Sequence, residues 1–259
     1  MSTDSGKKLP SVAKKQKGSA WSPVVAIAGT AGVYVAAQFV VGILLGFFFG
    51  FSGWSQARID SWLASTLGQF AVIAVSGAAT IALLALFLHL RRIKFQALGF
   101  SRAPQWRDAA STAAGFFVYF GLLIASSVIA AQFLGINTQQ EQEIGFEQAK
   151  AGASGLALVF LSLVIIPPIV EETLFRGFLY GGLRSKMTMW WAAGLTSVMF
   201  AVLHLFASSE GLLWIAAIDT FILSIVLCYV RERTGALWAA IGIHAIKNSL
   251  AFIVVFVVQ

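Results

Sequence analysis

The stretch "SWLASTLGQFAVIAVSGAATIALLALFLHL", residues 61–90, contains no aspartate, glutamate, lysine or arginine. As an α-helix it would rise about 1.5 Å per residue, which is enough to cross the ~30 Å hydrocarbon core of a bilayer. An uninterrupted apolar run of this length is typical of a transmembrane helix, whereas shorter runs are typical of the core of soluble domains. The stretch therefore predicts that the chain enters a membrane.

Six other segments have a similar character, and the overall composition agrees with them. Of the 259 residues, 58% are hydrophobic and only 11% are charged, which excludes a water-soluble domain with a charged shell. Charge-free runs also cover 24–51, 109–140 and 151–170, and three later segments carry unusual polar residues, at 187–209, 211–230 and 235–259. We therefore predict an all-α fold, a polytopic membrane helical bundle with about seven to eight transmembrane helices. A basic tail at 1–22 is predicted to be disordered, followed by a single transmembrane domain at 23–259.

The net charge of +7 is distributed very unevenly along the chain. If the tail starts inside, the tail, loops and helix ends on that side hold 15 of the 18 lysines and arginines. The opposite side holds only Arg58 and Lys150, and Lys247 lies inside a predicted span. Because Lys and Arg accumulate on the cytoplasmic side of membrane segments, this pattern predicts a cytoplasmic N-terminus. It also explains the positive charge without a nucleic-acid partner.

The segment "PPIVEETLFRGF", residues 167–178, places charged side chains in apolar surroundings. An ionisable group inside a membrane costs at least ~2.5 kcal/mol, so it needs a partner or a water-filled cavity. Four residues apart on a helix, Glu172 and Arg176 share a face and can pair, while Glu171 is rotated by about 100° and remains available. Because proline obstructs a helix interior, one transmembrane helix is expected to be broken near Pro167 and Pro168.

Three further polar residues lie inside predicted spans at helical spacing. Phe200 and His204 are four residues apart, as are His244 and Asn248. Counting the rise along each helix places these side chains and Glu171 roughly halfway into the bilayer, in a cavity predicted to open to the cytoplasm. A carboxylate and imidazoles can activate a water, and Asn and His can donate to an oxyanion, so the set is suited to peptide hydrolysis. Interhelical hydrogen bonding and a proton relay are alternatives.

The motifs that carry these residues resemble those of a known family. "EETLFRGFLYGGLR", "FAVLHL" and "YVRERTGALWAAIGIHAIKN" follow one another in the order of the EExxxR, FxxxH and HxxxN motifs of the CAAX protease and bacteriocin-processing (Abi) family. This family is related to the type II CAAX prenyl endopeptidases, and the resemblance covers about residues 160–255. It implies an intramembrane endopeptidase in which Glu171 activates water with help from His204, and His244 and Asn248 stabilise the oxyanion. Glu172, Arg176 and Phe200 would support these four.

The resemblance leaves the metal, the substrate and the activity itself open. No HExxH motif is present, so we expect no cofactor, the alternative being zinc bound by Glu171, His204 and His244. Lys247 and Asp219 depart from the family pattern and are predicted to form a buried ion pair, the alternative being that Lys247 tunes the site by lowering the pKa of a nearby carboxylate. The expected partners are the bilayer and a peptide or membrane-protein substrate, lipidated or not, in a bacterial plasma membrane, with the oligomeric state open. A non-catalytic scaffold or immunity factor and a proton-coupled transporter are the alternative functions.

Overall fold

The protein is an integral membrane protein built as a helical bundle. The structure, a computed structural model, describes residues 21–133, 145–146, 152–207 and 211–258, and these residues form helices without strands. Six of the helices in this part of the chain are long and apolar enough to cross a membrane, and a seventh apolar helix has 17 residues. In chain order the helices are α1 (Pro23–Ser52), α2 (Gln56–Ala64), α3 (Thr66–Leu90), α4 (Trp106–Phe133), α5 (Ala153–Leu183), α6 (Met189–Leu205), α7 (Trp214–Thr234) and α8 (Trp238–Val258).

This architecture confirms the predicted polytopic bundle. The charge-free run at 151–170 and the charged motif that follows it belong to one helix, α5, which ends at Leu183. The predicted disordered tail lies, apart from Trp21 and Ser22, outside the described residues. Ser22 caps α1 by accepting a hydrogen bond from the Val25 N–H at 3.4 Å, and Pro23 occupies the first helical position, where its missing N–H costs nothing.

Helix α5 passes through both prolines, so it is distorted near Pro167 and Pro168 rather than ended there. A proline cannot donate to the carbonyl four residues back, and its ring crowds that carbonyl. The helix widens just before the prolines into a π-helical segment, Leu161–Ile165, where the Ile166 N–H bonds to the Leu161 carbonyl five residues back. A second π-helical segment, Glu172–Leu179, follows immediately after Glu171. The motif carboxylates therefore lie on an irregular helix.

Helix α5 is also the centre of the packing. Its Leu174, Phe175, Phe178 and Leu179 are essentially buried and form one apolar cluster with α1, α3, α6 and α7. A second cluster joins α4, α7 and α8 through residues such as Leu227. Because α5 contacts helices on both sides, it holds the charged motif away from the lipid.

One end of the bundle, here called the cationic end, is closed by the loop 91–105. The Trp238 indole N–H, at the start of α8, donates to the Arg102 carbonyl at 2.8 Å, and the Leu237 N–H donates to the Gly99 carbonyl at 3.2 Å. The Arg102 guanidinium binds Asp108 through two hydrogen bonds of 2.6 and 2.7 Å. The loop arginines therefore lie at the same end as Arg231 and Arg233, as the charge pattern predicts.

We predict that Gly182→Ala destabilises the fold and that Gly181→Ala does not. A Cβ at Gly182 would overlap Ala26 and the Trp21 ring, whereas a Cβ at Gly181 would meet Trp21 at an ordinary 3.5 Å. Overpacking should cost about 1–3 kcal/mol at Gly182, and alanine should gain up to about 1 kcal/mol of helix propensity at Gly181. Thermal unfolding of the purified protein in detergent measures both changes. Equal midpoints for the two variants would contradict this account of the α1–α5 contact.

Candidate active site

The four predicted catalytic side chains line one cavity. It has a volume of about 250 Å³ and lies between α5, α6, α7 and α8. Polar groups are contributed by Glu171, His204, Asp219, Thr220, His244, Lys247 and Asn248, and the remaining walls by Leu163, Pro167, Ala216, Leu223 and Ala251. The structure thus brings together residues from three motifs that are up to 77 positions apart, while the role of each stays a prediction.

Glu172 binds two partners inside the bundle through one of its oxygens, Oε1, while Oε2 is buried without a hydrogen-bond partner among the described residues. As predicted from their spacing, Glu172 and Arg176 form an ion pair, with Oε1 3.0 Å from Nη1 and both side chains completely buried. The same Oε1 accepts a hydrogen bond from His244 Nδ1 at 2.9 Å, a contact that the spacing did not predict. Burying a charge costs several kcal/mol unless partners compensate, so two donors are expected on this carboxylate. Glu172 therefore joins α5 to α8.

Phe200 shields this ion pair and holds the first histidine. Its ring lies 4.4 Å from the Arg176 guanidinium carbon, a cation–π contact, and 6.2 Å from the His244 ring in an edge-on arrangement. Its backbone carbonyl lies 2.9 Å from His204 Nδ1. The phenylalanine of the FxxxH motif is thus a structural centre that contacts Arg176, His204 and His244.

Hydrogen bonds define the state of both imidazoles. A carbonyl only accepts, so His204 Nδ1 carries a proton, and in the neutral ring Nε2 is left with the lone pair. Glu172 Oε1, which already accepts from Arg176, is the acceptor in its contact with His244, and this assigns the shared proton to His244 Nδ1. In both rings Nε2 is therefore the nitrogen that remains for water or substrate.

Glu171 differs sharply from its neighbour. Its side chain is 30% exposed, and its Oε2 lies 3.9 Å from His244 Nε2, longer than a hydrogen bond. That oxygen has no hydrogen-bond partner among the described residues. Glu171 is therefore the carboxylate of the pair that lines the cavity and lies outside the network of Glu172, Arg176 and His244.

Asn248 compensates for the prolines of α5. The Leu163 carbonyl would bond to the N–H of residue 167 in an α-helix or of residue 168 in a π-helix, and both are prolines. The Asn248 side-chain amide donates to this carbonyl at 2.8 Å instead. One of its two N–H groups is thus used structurally, and the second remains for the predicted oxyanion role.

Asp219 and Lys247 form the predicted ion pair, with Nζ and Oδ2 3.1 Å apart. The two side chains are 18% and 25% exposed, so the pair is only partly buried. The Tyr119 hydroxyl, on α4, donates to the other Asp219 oxygen at 2.5 Å. The pair and the phenol connect α4, α7 and α8 beside the cavity, and the charge of Lys247 is balanced by Asp219.

The zinc alternative requires three donors at metal-binding distance. In the described part of the chain, no three His, Cys, Asp or Glu side chains converge closely enough to hold a metal ion. Glu171, His204 and His244 share the cavity and have the right donor atoms, yet this conformation does not assemble them as a metal centre. We therefore derive no chemical step from zinc.

The cavity reaches deep into the bundle. Helix rise places His244 roughly 9 Å and Glu171 roughly 18 Å from the cationic end, and the lining residues Ala216 and Leu163 roughly 27–30 Å from it. The opening of this cavity to the cytoplasm stays a prediction.

Known proteins share the motif-bearing part of this chain. Residues 153–250 match the family model described as type II CAAX prenyl endopeptidase Rce1-like. The predicted resemblance is confirmed. The Rce1-like segment begins at the start of α5 and ends within α8, so it includes every residue of the cavity except Ala251. Helices α1, α3 and α4 lie outside it.

Two relatives are similar over different lengths. An "Uncharacterized 24.3 kDa protein" of Escherichia coli is 32% identical over 98 residues, which cover 37% of this chain and 43% of that protein. A protein of Bacillus subtilis named "Putative membrane peptidase YdiL" is 26% identical over 227 residues, 85% of each chain. The chain thus matches less than half the length of the first relative. No solved structure matches significantly.

One residue beside the cavity, Tyr119, was not found by sequence analysis. It lies in an apolar run outside the Rce1-like segment and could have been suspected only from the need of Asp219 for a donor. Its contact with Asp219 depends on how α4 packs against α7, which the sequence of one helix does not encode.

We predict that the cost of Asn248→Ala depends on Pro167. In the wild type this substitution leaves the Leu163 carbonyl without a donor and should cost about 1–3 kcal/mol of unfolding free energy. In a Pro167→Ala background the new backbone N–H at position 167 can bond to that carbonyl, so the cost should fall below about 1 kcal/mol. Thermal or denaturant unfolding of the four proteins measures this coupling.

Ser249→Ala provides the matched control. The Ser249 hydroxyl donates to the Ala245 carbonyl of its own helix, so its removal should cost the same in both backgrounds. If Asn248→Ala were equally costly with and without Pro167, the assignment of the amide as a substitute for the proline N–H would fail.

Proposed function

We propose that this protein is an intramembrane endopeptidase in which Glu171 activates a water molecule for attack on a peptide bond. One observation carries the proposal: of two adjacent carboxylates, Glu172 is buried and occupied by Arg176 and His244, whereas Glu171 is partly exposed in a polar cavity. The similarity of residues 153–250 to type II CAAX prenyl endopeptidases supports the same conclusion. The similarity to a B. subtilis protein named as a membrane peptidase supports it as well.

The geometry suggests a division of labour in the reaction. Glu171 takes a proton from water as the oxygen attacks the carbonyl carbon, and the carbonyl oxygen becomes an oxyanion. His204, whose Nδ1 is held by the Phe200 carbonyl, presents Nε2 to the same water or to the departing amine. Collapse of the tetrahedral intermediate breaks the C–N bond, and the amine leaves with the proton taken from the water.

The second histidine is assigned to the oxyanion. Glu172 fixes the orientation of the His244 ring through Nδ1 and can stabilise positive charge on that ring when Nε2 donates to the oxyanion. The second N–H of the Asn248 amide is the other proposed donor. Under this assignment Glu172, Arg176 and Phe200 act through His204 and His244 and touch no reacting atom.

We predict that Glu171→Gln abolishes cleavage without unfolding the protein. Glutamine keeps the shape of the side chain but cannot accept the proton, so the rate should fall by at least about a hundredfold. His204→Ala and His244→Ala should have similar effects, and Asn248→Ala should reduce the rate partially. The measurement compares the new termini of membrane peptides in cells that express wild type or variant, with equal membrane levels and unfolding temperatures as controls.

Each result has a distinct meaning. Cleavage retained by Glu171→Gln would exclude Glu171 as the base. Activity lost on chelation and restored by zinc would replace the metal-free mechanism with zinc bound by Glu171, His204 and His244. Identical termini from wild type and Glu171→Gln would favour the non-catalytic scaffold. Ion flux in proteoliposomes that is insensitive to Asn248→Ala would favour the transporter.

The proposed setting is a bacterial plasma membrane with the cationic end in the cytoplasm, and the proposed substrate is a peptide or membrane protein, lipidated or not.

The membrane orientation can be tested by labelling single introduced cysteines. Cys228 is the chain's single cysteine and is buried, so labelling of an introduced cysteine shows on which side of the membrane that position lies. Ala57 and Ala103 are both exposed, on α2 and in the loop 91–105 respectively.

We predict that Ala57→Cys reacts with an impermeant maleimide in intact cells, whereas Ala103→Cys reacts only after the membrane is opened. The reason is the concentration of positive charge around Ala103. The wild type provides the control for reactivity of Cys228. Labelling of Ala103→Cys in intact cells would show that the orientation is the opposite of the proposed one.

A further inference from the structure

A second cavity, larger than the first, lies on the lipid-facing side of the bundle. It has a volume of about 520 Å³, runs between α4 and α7, and shares no residue with the catalytic cavity. Its walls are mostly apolar, and a small residue of α4, Ala114, leaves room between the helices. Water would gain few hydrogen bonds along such walls, so the cavity, here called the α4–α7 groove, suits a hydrocarbon chain.

The mouth of this groove has the composition of a lipid headgroup site. Arg233 lies at its rim, and the Arg233 guanidinium carbon is 5.9 Å from the centre of the Tyr229 ring. Tyr229 in turn stacks with Trp190 at 6.3 Å, and both rings line the groove. Tryptophan and tyrosine concentrate at the level of lipid headgroups, so these rings indicate where the membrane surface crosses the groove.

The length of the groove matches one leaflet of a bilayer. Along α4 its lining runs from Ser111 to Leu122, and along α7 from Ile225 to Thr234. At about 1.5 Å per residue these spans measure roughly 14–16 Å, half of the ~30 Å hydrocarbon core. The groove thus extends from the headgroup level at the cationic end to about the middle of the membrane.

The charge of Arg233 is not balanced within the described part of the protein, where no carboxylate pairs with it. The neighbouring Glu232 is already bound by Arg184, at 2.7 and 3.0 Å, and by the Tyr180 hydroxyl at 2.7 Å. No aspartate or glutamate lines the groove. An anionic group at the mouth would therefore meet an uncompensated guanidinium, which binds phosphate oxygens in a bidentate manner.

We propose that the α4–α7 groove binds one phospholipid with an anionic headgroup, from the leaflet at the cationic end. Its acyl chain lies along the apolar walls, and its phosphate binds Arg233 beside Tyr229 and Trp190. Basic pockets between transmembrane helices are suited to such lipids, because the helices supply the apolar walls and the arginine supplies the charge. This site is independent of the peptidase proposal, since α7 separates the groove from the catalytic cavity.

The test uses native mass spectrometry of the full chain with phosphatidylglycerol and phosphatidylcholine that carry identical acyl chains. The wild type should retain phosphatidylglycerol in preference to phosphatidylcholine. Arg233→Gln should reduce phosphatidylglycerol retention about fivefold, to the level of phosphatidylcholine. The reason is that one basic side chain near the membrane surface raises the affinity for an anionic lipid by about that factor. Arg233 is exposed, so this substitution leaves the packing intact. Ala114→Trp should fill the groove and reduce retention of both lipids.

Arg107→Gln is the matched control, since Arg107 is exposed at the same end of the molecule and outside the groove. Its lipid retention should equal that of the wild type. Three results would overturn the proposal: equal retention of the two lipids by the wild type, equal losses in Arg107→Gln and Arg233→Gln, or unchanged retention in Ala114→Trp at an unchanged unfolding temperature.

Discussion

A fully buried carboxylate, Glu172, is the constraint on which the rest of the structure depends. In an apolar interior its charge is tolerable only with compensating donors, and the protein supplies Arg176 from the same helix and His244 from α8. The ring of Phe200, from α6, covers the guanidinium. Three helices are thereby fixed around one oxygen atom. The neighbouring Glu171 lines the cavity outside this network, so under the proposed mechanism stability and reactivity are divided between adjacent residues.

The distortions of α5 make this division possible. Two prolines deprive the Leu163 carbonyl of both an α-helical and a π-helical donor, and π-helical segments precede and follow Glu171. The Asn248 amide of α8 donates to the Leu163 carbonyl in place of the missing backbone N–H. Asn248 also lines the cavity, so the residue that satisfies this carbonyl is part of the candidate site as well. In a regular α-helix the Leu163 carbonyl would be bonded within α5, and the hydrogen bond from Asn248 that connects α8 to α5 at this point would not form.

Much of this arrangement follows from sequence, and the remainder has identifiable physical reasons. The spans follow from hydropathy, the Glu172–Arg176 pair from the four-residue spacing, and the common cavity from the depth of each polar residue. The bond from His244 to Glu172 could not be predicted, because spacing within one helix says nothing about which face of a second helix meets it. The donor that satisfies the Leu163 carbonyl beside the prolines lies 85 residues away, so it could not be predicted from the sequence of α5. The α4–α7 groove depends on close packing between helices, which hydropathy does not encode.

The shortness of α6 has a consequence for the membrane itself. Its 17 residues rise about 26 Å, less than the ~30 Å of hydrocarbon that a full span must cross. A helix that is too short draws the lipid surface toward its end, at a cost of a fraction of a kcal/mol per ångström. His204 is the penultimate residue of α6, so this hydrophobic mismatch is expected to thin the bilayer beside the cavity. The proposed hydrolysis, which consumes water, would then take place where the hydrocarbon core of the bilayer is thinnest.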